Sequence, residues 1–144
     1  MALSDLTPRE REVVYRCLKA IVKEDFVPDC DFISVFGVTK DDIKEIISRW
    51  PNVDDLTEFK VARAINDTLN NLVGYPHNMD DLLFQCTGAT RHEINYIFEK
   101  WRDRRISKRL SLVKTKSFKK GDRIIQIAFN LEYKATIIYI DYLF

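Results

Sequence analysis

The chain has 144 residues, 46% of them hydrophobic, with 23 Lys or Arg against 22 Asp or Glu. That length and apolar content suit one globular domain with a sizeable core and exclude a disordered chain. The net charge of +1 hides an asymmetry, because residues 100 to 123 carry eleven Lys or Arg and two Asp, whereas residues 1 to 99 carry eleven basic and eighteen acidic side chains. There is no run of eighteen apolar residues and no basic-then-apolar leader at Met1, so neither a membrane span nor a secretory signal is expected, and a cytoplasmic location is. Three cysteines, Cys17, Cys30 and Cys86, predict reduced thiols rather than a disulfide framework.

Thr7-Pro8-Arg9-Glu10 reads as the N-cap and first turn of a helix, with Pro where its missing N–H costs nothing and Glu placed to close a capping box. Val13, Val14, Cys17, Leu18, Ile21 and Val22 then recur at spacings of three and four, which predicts one buried stripe. Leu6-Thr7-Pro8-Arg9-Glu10-Arg11-Glu12-Val13 resembles the opening of the LuxR-type DNA-binding domain over those eight residues, and capping chemistry accounts for the same residues. Phe26 to Asp31 reads as a connector. A short helix through Phe32, Ile33 and Phe36 follows, stopped by Gly37. Thr39 and Asp42 cap the next helix, which turns Ile43, Ile46, Ile47 and Trp50 inward before Pro51 ends it. Residues 7–50 thus form one helical unit.

Residues 56–105 form a second. Phe36-Gly-Val-Thr-Lys-Asp-Asp-Ile-Lys-Glu-Ile-Ile-Ser-Arg-Trp50 returns fifty-one residues later as Thr87-Gly-Ala-Thr-Arg-His-Glu-Ile-Asn-Tyr-Ile-Phe-Glu-Lys-Trp101, and the register runs back without a gap to Val13 and Ala64. Asp55 with Glu58 is read as the cap of the second long helix, Phe59, Ala62, Ile65, Leu69, Leu72 and Val73 as its buried stripe, and Gly74 as its left-handed terminator. Ile65 to His77 resembles a segment of small, uncharacterised bacterial proteins, which implies a bacterial origin and assigns no residue a role. Asp80 to Cys86 repeats the short helix. Thr90 and Glu93 make a capping box for the last one, with Ile94, Ile97, Phe98 and Trp101 inward.

After Arg105 the pattern becomes alternation: Leu110 and Leu112, then a turn at Lys119-Lys120-Gly121-Asp122, then Ile125, Ile127, Phe129, Leu131 and Tyr133 at every second position, and a β-branched, aromatic stretch from Thr136 to Phe144. A helix through 124–134 is the alternative. The expected fold class is therefore α+β in a single domain: a mainly helical N-terminal two-thirds built from two tandem three-helix units, and over 106–144 a C-terminal antiparallel β-hairpin or three-stranded meander. Tyr142-Leu143-Phe144 calls for burial, on the body or in a homodimer.

No enzyme chemistry is expected. Two histidines, His77 and His92, offer no metal-ligand spacing, so neither metal nor cofactor is predicted. Cys86 with His92 would make a nucleophile and base only if Cys86 left the apolar position it shares with Val35. Glu132-Tyr133-Lys134 resembles the Glu-x-Lys element of the restriction-type nuclease fold, whose acid on a preceding strand has only Asp122 as candidate. Helix-turn-helix spacing is the stronger signal, since Ile43 and Ile46 follow Gly37 as Ile94 and Ile97 follow Gly88; a small residue is usual four places before the glycine, where Ile33 and Phe84 stand.

Two readings of function follow. One is a protein binder of the bacterial immunity or antitoxin kind, meeting a basic toxin through the acid-rich helical surface of Asp29, Asp31, Asp41, Asp42, Asp54, Asp55, Asp80 and Asp81. The other is a winged-helix-like regulator that grips nucleic acid with Arg91, Asn95, Arg102, Arg104, Arg105, Lys108 and Arg109. The first candidate recognition helix exposes as many acids as bases, which favours the protein binder. The basic segment has a further reading, as an internal clamp on the acidic body.

Overall fold

A computed structural model describes residues 2–114, 125–129 and 135–139, with side chains through Ser111 except that of Cys30. It divides into two compact units, Met1–Lys108 and Arg109–Phe144. The first opens with a 3-10 turn at Leu3–Asp5 and holds helices α1 (Pro8–Lys23), α2 (Asp29–Phe36), α3 (Lys40–Arg49), α4 (Phe59–Gly74) and α5 (Asp80–Thr87), with α6 (Arg91–Lys114) beginning in it. Each helix of the second set starts fifty-one residues after its counterpart: Pro8 and Phe59, Asp29 and Asp80, Lys40 and Arg91.

Local chemistry sets most of these boundaries. Thr7 Oγ1 accepts from Glu10 N–H at 3.2 Å while Glu10 Oε2 accepts from Thr7 N–H at 2.7 Å, so two N–H groups that a helix start leaves orphaned are satisfied. Thr39 with Asp42 and Thr90 with Glu93 do the same for α3 and α6. Gly37 and Gly88 end the short helices in the left-handed region, at φ 58° and 70°, where a Cβ would clash with the backbone. Two boundaries differ from expectation. Glu58, not Asp55, is the N-cap of α4 and makes no side-chain capping bond. Gly74 is the last helical residue of α4 rather than a left-handed terminator, and the extended residue after it is Tyr75.

Packing joins the two copies rather than keeping them apart. α1 rests on α3 of its own copy and on α4 and α5 of the other, while α2 rests on α4. Each short helix therefore lies on the long helix of the opposite copy. Val14, Leu18 and Ile21 of α1 and Ile65, Leu69 and Leu72 of α4, at equivalent positions, are all buried. Burying each such side chain stabilises by about 1.5–3 kcal/mol.

The fold is helical, which corrects the α+β expectation. Residues 106–114, expected to open a β region, continue α6 instead. The reason lies at the position equivalent to Pro51, which stops α3: in α6 it is Arg102, and nothing between Trp101 and Lys114 removes an N–H or supplies a left-handed stop. Leu110 and Leu112 alternate over only three residues, whereas Ile106, Leu110 and Val113 keep helical spacing. Farther on, the second unit has a short antiparallel ribbon, β1 (Ile125–Phe129) with β2 (Ala135–Tyr139), in which Ile127 faces Ile137. The turn at Lys119–Asp122, the pair Glu132 and Lys134 and the C-terminal Tyr142-Leu143-Phe144 lie outside the described residues. No described helix is long and apolar enough to cross a membrane.

Candidate functional site

The basic side chains of α6 are largely spent inside the first unit. Lys100 Nζ sits 2.8 Å from both carboxylate oxygens of Glu10, and Lys108 Nζ 2.8 Å from Asp5 Oδ1. Arg105 Nε donates to the Asp55 carbonyl at 2.8 Å while its guanidinium lies over the Trp101 ring. Arg102 covers the Phe98 ring, 5.1 Å from its centroid, and its Nε is buried. Arg91 donates to Asp80 Oδ1 and to the carbonyl of Val73 in the last turn of α4, and Asn95 donates to Glu99. Arg104 and Arg109 remain on the surface. The carboxylates register these contacts. Lys108 holds Asp5 below its ordinary pKa; partial burial opposes ionisation of Glu10, but Lys100 and Thr7 outweigh it and hold Glu10 low as well.

A cation shared with a protein carboxylate releases fewer counterions on meeting phosphate. Of the seven residues of the nucleic-acid reading, Arg91 and Lys108 are paired with carboxylates, Arg105 is bonded to a carbonyl, Arg102 lies over a ring and Asn95 is bonded to Glu99.

The acidic candidates separate into three kinds. Asp55 is fully buried, so it is no part of a docking surface. Asp54 is half-buried and shapes its own turn: its carboxylate accepts from the Thr57 hydroxyl at 2.6 Å and the Leu56 N–H at 2.9 Å, and both hold its pKa low. Asp42 caps α3 and accepts from Lys60 Nζ at 2.8 Å; Lys60 first, then Thr39, brings its pKa down to about 2. Asp41 is exposed and pairs with Lys44. The third kind stands at the starts of the short helices. Asp29 pairs with Lys40 and Asp80 with Arg91, the same ion pair fifty-one residues apart. Beside them Asp31 and Asp81 are exposed and make no ion pair among the described residues.

Each of these acidic ends carries an apolar side chain in water. Ile33 is 64% exposed and Phe84 52% exposed, and they occupy equivalent positions. In α2 the buried residues are Phe32 and Phe36, and in α5 Leu83 and Thr87, so the next position on the helix points outward. Phe84 borders an open hollow of about 530 Å³ with Asp80, Asp81, Thr90, Arg91 and His92. In sequence Ile33 and Phe84 stand at matched apolar positions of the short helices and do not fit close helix crossing. The buried stripe at i and i+4 was the signal that placed them outside.

His77 and Cys17 sit in structural surroundings. His77 Nδ1 accepts from Met79 N–H, and its Nε2 lies 3.1 Å from both the Leu72 carbonyl oxygen and Arg91 Nη2, so this ring shapes the turn after α4. Cys17 is buried, and burial pushes its thiol well above the ordinary range, leaving it un-ionised and inert. Cys86 is a half-buried free thiol, and the Cys30 side chain lies outside the described residues. No protein-family model matches the chain, and neither a curated protein nor a solved structure does.

Proposed function

We propose that the chain is a non-enzymatic protein-binding module of the immunity or antitoxin kind, which takes a cationic protein at the two acidic ends formed by α2 and α5. The observation that carries this reading is the pair Ile33 and Phe84. Divergent copies of a repeat keep apolar residues inside because folding needs them, but no folding need keeps an apolar side chain in water at the same place twice. Covering each on a partner would contribute about 1.5–3 kcal/mol. Asp31 and Asp81 lie close enough in sequence to guide a basic partner toward these side chains. A cytoplasmic setting belongs to the same reading and agrees with the free thiols of Cys17 and Cys86.

The test is biolayer interferometry of the purified protein against each cationic protein encoded in neighbouring genes, with the double variant Ile33→Asp/Phe84→Asp as comparison. Saturable binding that the variant weakens at least about 100-fold, or roughly 2.7 kcal/mol, is expected. Equal binding by the variant would move the contact elsewhere. If instead random duplex DNA binds with an affinity that falls steeply with salt, exposed Arg104 and Arg109 carry function and the protein-binding reading fails.

A further inference from the structure

α1 packs on α3, α4 and α5, and its remaining side lines an open groove of about 570 Å³ together with Ile47 of α3 and Cys86 of α5. The α1 lining runs from Glu12 to Glu24, about 18 Å of helix. Ala20, Val22, Ile47 and Cys86 make the groove largely apolar, and Tyr15, stacked on Trp50, adds an aromatic wall. An apolar cleft of this size with a few placed polar groups suits a small ligand.

Charge selects the ligand. Arg16 pairs with Glu12 at 2.8 Å and Lys23 with Glu24 at 3.3 Å, so these charges cancel. Lys19 lies between them on the helix and is exposed; its Nζ stands 5.3 Å from the Tyr15 ring centroid, with no carboxylate partner among the described residues. One uncompensated cation beside apolar surface fits an amphiphile with a single negative charge. Packing of the repeat does not demand this chemistry. In the second copy Asn66, Asn70 and Asn71 stand where Tyr15, Lys19 and Ala20 do, and the buried Phe98 stands where Ile47 does.

We propose that the groove binds a free medium-chain carboxylate, with its alkyl chain along α1 against Ala20, Val22 and Ile47 and its head group on Lys19 Nζ. The ammonium donates to a carboxylate oxygen in a charge-assisted bond, and each methylene taken from water adds to the affinity. Neither Ile33 nor Phe84 lines the groove, so this site is separate from the one that takes a cationic protein.

The experiment is isothermal titration calorimetry of the full chain with decanoate, and with decyltrimethylammonium as the same chain carrying the opposite charge. The labelling rate of the Cys86 thiol is followed alongside and assigned by its loss in Cys86→Ser. Expected are saturable decanoate binding at one site per chain, a loss of about 10-fold or more in Lys19→Ala, weaker binding of the cationic amphiphile, and slower labelling of Cys86 with decanoate present. Absence of saturable binding, equal affinity in Lys19→Ala, or an unprotected Cys86 would each overturn the proposal. So would a chain that sediments as a dimer split by Lys19→Glu, which would put a second copy in the groove.

Discussion

Trp50 and Trp101 are the same residue at the same point of the repeat, yet the structure gives them unequal work. Trp101 is 1% exposed and donates its indole N–H to the buried Asp55 carboxylate. Trp50 is half-buried, stacks on Tyr15 at 5.6 Å between centroids, and its indole N–H has no acceptor among the described residues. Trp101→Phe removes a hydrogen bond to a charged group, worth about 1.5–3 kcal/mol, and leaves space where the second ring was, costing roughly 1 kcal/mol more. A total of about 2.5–4 kcal/mol would lower Tm by ~10 °C or more in a unit of this size. Trp50→Phe keeps a stacked ring and should cost below ~1 kcal/mol. Far-UV circular dichroism during heating and urea titration measures both. Equal losses in the two variants would refute the assigned role of the Asp55 bond, because the intrinsic change from indole to phenyl is identical.

Acid sensitivity should trace in part to Asp42. Its folded pKa, about 2, lies below the unfolded value, so its contribution is present at neutral pH and is lost as pH falls from ~4 toward ~2. Asp42→Asn should flatten that limb of a Tm-against-pH curve, and an unchanged slope would exclude the Lys60 and Thr39 contacts as its source. The glycines should divide by backbone angle. Gly37→Ala and Gly88→Ala should each cost about 1–2 kcal/mol because of their left-handed backbone; the Arg63 guanidinium that lies where the Gly37 Cβ would go is the end of a flexible side chain and can move aside. Gly74→Ala, at a helical position with open space around it, should instead gain ~0.5–1 kcal/mol in urea denaturation; a loss there would contradict a helical Gly74.

What the sequence revealed was set by distance along the chain. The capping boxes of Thr7, Thr39 and Thr90 each close within three residues, and the apolar stripes of α1 and α4 repeat within one turn, so both were legible. Asp55 was not. Three positions before Glu58 it has the spacing of a cap, but its partners lie 46 to 53 residues away, and only the folded chain brings Ala2, Leu3 and Trp101 to it. The basic run misled in the same way, since Lys100 and Lys108 find Glu10 and Asp5 at separations of 90 and 103 residues. The continuation of α6 past Arg105 was hidden by a two-residue alternation that a helix tolerates equally well. Ile33 and Phe84 were visible as apolar residues, and only the direction of the buried stripe shows that they face water.

Because α2 lies on α4 and α5 on α1, each short helix has its main support in the other copy. During synthesis, the rings of Phe32 and Phe36, stacked 4.3 Å apart in the finished protein, must wait for Phe59–Gly74 to be translated before they have a floor. At ~5–20 residues per second that wait is on the order of seconds. A chain severed between Pro51 and Thr57 should behave accordingly, as two halves that unfold apart and recover structure when mixed.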